Sequence, residues 1–218
     1  MRIACLHTAE SNIAVFEESC RNGGFPLLQL RHEVRADLLA QVEASGGLTS
    51  GIEERTLEAL LALSAEANAV LLTCSSLGPV APKAATLASA PVLRVDEALA
   101  HGAVKSGGRV AALCAVTTTL EPTRALFESA AQGTEAAVEV RLVPSAWELF
   151  KAGQADRYLA LIAEAADRAF EEGFTTVALA QASMTGAAGL CRTGRPLTSP
   201  GAGLKAALAM AGKSSKPA

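Results

Sequence analysis

Two stretches of this chain occur twice. Arg2-Ile3-Ala4-Cys5-Leu6 resembles Arg109-Val110-Ala111-Ala112-Leu113, an offset of 107 (109 − 2). Leu71-Leu72-Thr73-Cys74-Ser75-Ser76-Leu77-Gly78 resembles Leu179-Ala180-Gln181-Ala182-Ser183-Met184-Thr185-Gly186 at 108 (182 − 74). Two separate matches at nearly one spacing point to two halves built alike. Between them, short apolar runs alternate with longer amphipathic ones. The pattern predicts strands over Ile3–Leu6, Leu27–Leu30, Ala69–Thr73, Val92–Val95, Val110–Ala115, Val138–Val143 and Thr176–Ala180, with a short one at Pro196–Leu197. Helical spacing is clearest in Glu53–Ala67, through Leu57, Leu60, Leu61 and Leu63, and in Ala155–Glu172, through Leu159, Ile162, Ala166 and Phe170. Strand–helix alternation of this kind gives parallel sheets covered by helices on both faces.

The expected fold is therefore α/β: two similar parallel-sheet, Rossmann-like lobes related by a pseudo-two-fold, with a ligand cleft between them. Residues 1–102 form the first lobe and 103–200 the second, with Ser106-Gly107-Gly108 near the junction. A helix over 201–211 packs back on the first lobe, and 212–218 reads as a disordered tail. Aromatic residues make up only 4 % of a chain that is 50 % hydrophobic, so the cores are expected to be aliphatic.

Charge and cysteine usage narrow the function classes. A net charge of −3 with interspersed signs gives no basic stripe for nucleic acid. No apolar stretch reaches the ~18 residues of a membrane span, and the N-terminus reads as a strand rather than a signal peptide. The five cysteines are odd in number and none has C-x-x-C spacing, so neither a disulfide framework nor a zinc site is expected. Free thiols suit a reducing compartment, and the expected location is the cytoplasm.

Ligands of parallel sheets bind beyond the carboxyl ends of the strands. Four ends qualify: His7-Thr8-Ala9-Glu10-Ser11-Asn12, Thr73-Cys74-Ser75-Ser76, Val116-Thr117-Thr118-Thr119 and Gln181-Ala182-Ser183-Met184. Each opens toward a helix, whose unpaired N–H groups suit a carboxylate. Cys74 at such a start is either a packing cysteine or a thiol with a depressed pKa, able to act as nucleophile or base. Thr117, Thr118 and Thr119 either cap the helix opened by Glu121 and Pro122 or present hydroxyls to a ligand. Ser183 and Thr198-Ser199-Pro200 carry the same two readings, and His7 ends the first strand within reach of a ligand. His32 and His101 read as surface or capping residues. Gly201-Ala202-Gly203-Leu204-Lys205-Ala206 fits G-x-G-x-x-A, but the chain left after it is too short for the βαβ unit a dinucleotide site needs.

Together these segments resemble the aspartate/glutamate/hydantoin racemase superfamily. The resemblance rests on the N-terminal strand, Leu72-Thr73-Cys74-Ser75-Ser76, Arg109-Val110-Ala111-Ala112-Leu113 leading to Thr117-Thr118-Thr119-Leu120, Ala178-Leu179-Ala180-Gln181-Ala182-Ser183-Met184 and Leu197-Thr198-Ser199-Pro200. It implies cofactor-independent proton transfer next to the carboxylate of a small acid, with no metal. In the racemases two cysteines act from opposite faces. Cys74 matches the first, and His7, Thr73, Ser75, Ser76, Thr117, Thr118, Thr119, Gln181, Ala182 and Ser183 become the implied substrate-binding set. The second cysteine's place is assigned to Ala182, which carries no proton, and Cys191 lies nine residues on (191 − 182). The resemblance thus implies a racemase or epimerase. Its alternatives are a single-cysteine lyase or isomerase, or an inactive carboxylate-binding homologue. The partner is a small carboxylate, with no nucleic acid or membrane, and Ala-rich helices are compatible with a homo-oligomer.

Overall fold

The computed structural model describes residues 1–22 and 27–214. The first elements are β1 (Arg2–His7), α1 (Ser11–Asn22), β2 (Gln29–Val34), α2 (Ala36–Ser45), α3 (Ser50–Ser64) and β3 (Ala69–Leu72). A 3-10 turn at Ser75–Val80, α4 (Ala81–Leu87) and β4 (Val92–Arg94) follow. Then come α5 (Val95–Val104), β5 (Gly108–Cys114), a short 3-10 turn at Thr117–Thr119, α6 (Leu120–Ala131) and β6 (Ala136–Leu142). The chain continues through α7 (Ala146–Lys151), α8 (Ala155–Glu171), β7 (Thr176–Leu179), a 3-10 turn at Ala182–Gly189, β8 (Leu197–Thr198) and α9 (Ser199–Ser214). Residues 215–218 of the expected tail lie outside the described residues.

Among the described residues the strands form two four-stranded parallel sheets, ordered β2-β1-β3-β4 and β6-β5-β7-β8. The expected α/β architecture of two similar parallel sheets is what the chain adopts. Two compact units contain them: Met1–Asp96 with the C-terminal segment from Pro200, and Glu97–Ser199.

The central strands explain why the sequence reads as unbroken apolar runs. In the second unit, Ala111 and Leu113 pack with Tyr158, Ile162 and Ala166 of α8. Their neighbours Val110, Ala112 and Cys114 pack with Leu99 and Ala103 of α5 and Phe127 of α6. Successive side chains point to opposite faces, and both faces are covered. In the first unit the same logic hides every side chain of β1 from Ile3 to His7, with Phe16, Leu38, Leu60 and Leu63 also fully buried.

β2 departs from the expected position. The apolar run at Leu27–Leu30 drew the prediction, yet Leu27 is 86 % exposed in a turn and the strand runs on through Arg31-His32-Glu33. It is an edge strand with half-buried side chains, so it needs no apolar run.

The two halves share their backbone register. The β1–β3 ladder begins at Ile3↔Ala69 and the β5–β7 ladder at Val110↔Thr176, each 107 further on (110 − 3; 176 − 69). The turns after β3 and β7 start at Ser75 and Ala182, again 107 apart (182 − 75). The sequence match at 108 is therefore one residue out of the structural register. Gln181, not Ala182, occupies the backbone place of Cys74, and Ala182 that of Ser75. Similar small residues produced the match, whereas hydrogen bonds set the register.

The glycines of the rejected dinucleotide pattern lie in α9. A Cβ on Gly203 would meet Val95 at 2.4 Å from Cγ2 and 3.2 Å from Cα, while one on Gly201 would meet nothing within 4 Å. We expect Gly203→Ala to cost about 1–3 kcal/mol by overpacking. Gly201→Ala should be neutral or stabilising by up to ~1 kcal/mol. Urea denaturation of the two variants checks the contrast.

Candidate active site

Cys74 leaves β3 in an extended conformation (φ −101°, ψ 117°) and opens the 3-10 turn that carries Ser75 and Ser76. Its residue is 8 % exposed, and Thr73, Ser75 and Ser76 are buried beside it. The Thr8 hydroxyl and the backbone N–H groups of Leu77 and Ser76 donate to the sulfur. Thr8, just beyond β1, was missed as a thiol partner, because adjacent parallel strands bring it there and no spacing along the chain signals it.

The electrostatics reverse an expectation. A helix start alone lowers a thiol pKa. Here burial pushes the Cys74 thiol up, and the Asp96 charge adds to it, outweighing the three donors. Asp96 is itself buried and held by Arg94 through two hydrogen bonds of 3.0 and 2.9 Å. The Arg94 guanidinium lies over the turn at Gly78, where a Cβ would come within 2.5 Å of its Cζ. This buried ion pair is a second feature that the sequence reading missed.

His7 is fully buried, and its pKa is lowered to about 3 by burial and by the nearby charge of His32. Its Nδ1 lies 2.8 Å from Thr73 Oγ1, which donates to Leu6 O, and its Nε2 lies 2.9 Å from His32 Nδ1. His32 Nε2 in turn lies 3.2 Å from Glu17 Oε1. His32 is thus part of a polar chain reaching the residue before Cys74 rather than a surface residue. Asn12, in the first turn of α1, buries an Oδ1 with no partner among the described residues.

In the second unit, Thr117 is exposed and Thr118 half-buried. Thr119 is buried and donates to Val116 O at 2.6 Å, so its hydroxyl makes no side-chain cap on the following helix. Gln181 Oε1 accepts from the N–H groups of Ala115 and Val116. Ser183 Oγ lies 2.9 Å from the Tyr158 hydroxyl, whose pKa burial pushes up to about 12. Ala182 is buried, and Ser199 Oγ is buried with no partner among the described residues. Cys191 lies against Ala187 O, and its pKa is raised by burial.

Cys74 should therefore be protonated at neutral pH. Its alkylation by iodoacetamide should be slow at pH 7 and accelerate above the ordinary thiol range. Thr8→Val removes a donor that favours the thiolate, so the rate at any fixed pH should fall further. Mass spectrometry of the Cys74 peptide across a pH series measures both. Fast modification at pH 7, unchanged in Thr8→Val, would refute this account.

No curated protein matches the chain by sequence. Solved structures share its fold. The aspartate racemase of Picrophilus torridus superposes with TM-score 0.77 at 12 % identity, over 97 % of this chain and 94 % of its own. Allantoin racemase from Pseudomonas fluorescens gives 0.71 at 19 % identity, over 98 % and 92 %. An arylmalonate decarboxylase gives 0.64 at 17 % identity, over 99 % and 95 %. The family profile for Asp/Glu/Hydantoin racemase matches residues 31–206, most of the chain, and the protein belongs to that family.

Proposed function

We propose that the protein is a cofactor-independent enzyme that moves a proton at the carbon next to the carboxylate of a small acid, with Cys74 as the acid/base. The observation that carries the proposal is the thiol itself: a buried sulfur at a strand end, met by Thr8 and two backbone donors. Those donors stabilise the thiolate whenever the proton has been passed to substrate. The raised pKa keeps the proton on sulfur beforehand, so resting Cys74 is set to donate to a carbanion and must first lose that proton before it acts as a base.

A proton next to a carboxylate is weakly acidic, so the incipient enolate needs fixed donors, each worth roughly 3 kcal/mol. In this reading Thr73, Ser75, Ser76, Thr117, Thr118, Thr119, Gln181, Ala182 and Ser183 form the substrate-binding set. His7 contributes through its hydrogen bond to Thr73. The unpartnered Asn12 oxygen suits a substrate amino or hydroxyl group. A reducing compartment such as the cytoplasm suits five cysteines that form no disulfide. Among the described residues, no helix is long and apolar enough to cross a membrane.

A second reading is favoured by a specific observation. Position 181, the backbone counterpart of Cys74, is glutamine, and position 182 is alanine. Without a thiol there, one-sided chemistry such as decarboxylation or isomerisation is better served than racemisation.

The test is incubation in deuterated water with 2-amino acids, 2-hydroxy acids and a 2-substituted malonate. NMR counts deuterium and chiral chromatography measures inversion. We expect deuterium to enter one enantiomer faster than inversion occurs, or the malonate to lose carbon dioxide. Cys74→Ala should slow either reaction by about 10²–10⁴-fold. Turnover undiminished in Cys74→Ala would overturn the assignment. No exchange or decarboxylation with any acid, combined with saturable binding, would make the protein a carboxylate binder.

A further inference from the structure

The polar chain under α1 contains a donor conflict. Thr73 Oγ1 spends its proton on Leu6 O, so it accepts from His7 Nδ1–H. His7 Nε2 is then left with a lone pair. Glu17 offers only acceptors, so His32 Nε2 carries a hydrogen toward it. In neutral His32 the remaining nitrogen, Nδ1, would also present a lone pair, 2.9 Å from that of His7. Two facing lone pairs require a cation between them, either a proton or a metal ion. The Cys5 sulfur completes the group: one donor atom each from Cys5, His7 and His32 lies within 4.8 Å of the others.

We propose that Cys5, His7 and His32 form a zinc-class metal site, a thiolate and two imidazoles holding one ion. The donor set suits a borderline ion of this type. Bond lengths of about 2.0–2.3 Å place tetrahedral donors roughly 3.3–3.8 Å apart. The two imidazole nitrogens would open by about half an ångström. The outer partners are already those of metal-bound histidines, each directing its second N–H at an oxygen: Thr73 Oγ1 for His7, Glu17 Oε1 for His32. On coordination Cys5 releases its proton to solvent, as does the proton held between the two rings in the metal-free protein. The ligands of a metal site need not lie close together along the chain. These come from paired positions, Cys5↔His32, and from His7 two residues along the same face of β1.

The second half supplies a comparison within the same molecule. The ladders place Ala112, Cys114 and Val140 where Cys5, His7 and His32 stand (112 − 5 and 114 − 7 give 107; Cys5↔His32 corresponds to Ala112↔Val140). That spot is filled with small and apolar side chains, all buried. The fold thus does not need two histidines here, and the polar trio is specific to the first half. Cys5 and His7 are fully buried, so the ion would clamp β1 to β2 rather than meet substrate.

The test uses the full chain, reduced, stripped with a chelator and titrated with Co²⁺. The wild type should bind a single ion with a thiolate-to-cobalt charge-transfer band and the visible bands of a low-coordinate site, and Zn²⁺ should displace it. Cys5→Ser should abolish the charge-transfer band and His32→Gln should weaken binding. Glu17→Gln, a milder change on a half-exposed residue, should weaken it roughly 10–100-fold. Cys74→Ala and Cys114→Ser should retain the band. A folded wild type that takes up neither Co²⁺ nor Zn²⁺ would overturn the proposal and leave a proton between the rings. Uptake that survives both Cys5→Ser and His32→Gln would overturn it as well.

Discussion

A strand covered on both faces has no solvent to offer a polar side chain, and that constraint organises the first unit. β1 is such a strand, yet it ends in His7. An imidazole placed there must find every partner inside the protein, or the unpaired group costs several kcal/mol. Thr73 supplies one partner and His32 the other. Thr73 thereby fixes the end of β3 through both its backbone N–H and its hydroxyl, each bonded to Leu6 O. Cys74 is the next residue, so the position of the thiol depends on how a buried histidine was satisfied.

The same low-polarity surroundings set the protonation of Cys74. A turn start, a hydroxyl and two amides all favour the thiolate, yet removal from water outweighs them, with a buried carboxylate adding to the bias. Arg94 pairs with Asp96 beside the turn at 2.9 Å and fixes the position of its carboxylate. Catalysis from such a thiol calls for a ligand that supplies the missing stabilisation when it arrives.

Much of the fold was legible because parallel strands announce themselves as short apolar runs. β1, β3, β5 and β7 fall within a residue or two of their expected bounds. β2 was misplaced, because an edge strand is free to be polar and Leu27 supplied apolar character outside it. Cys74 and its serines could be found from their position after a strand. Thr8, Asp96 and His32 could not, since lateral pairing of strands brings them into play and one sequence carries no trace of that pairing. The off-by-one match at Ala182 has the same origin: side-chain similarity and backbone register are different properties, and only the first is written in letters.

The polar character of β2 bears on how the chain behaves in company. An open sheet ends in a row of unpaired N–H and C=O groups that invites another strand. Along β2, Arg31 and Glu33 alternate with the residues between them, and Arg31 reaches Glu66. β6 repeats the device with Glu139 and Arg141. An incoming strand would have to displace or desolvate those charges before its first ladder bond formed. Each half can therefore leave one border of its sheet open without becoming a template for fibrous growth, in the finished molecule and in the half-folded chain.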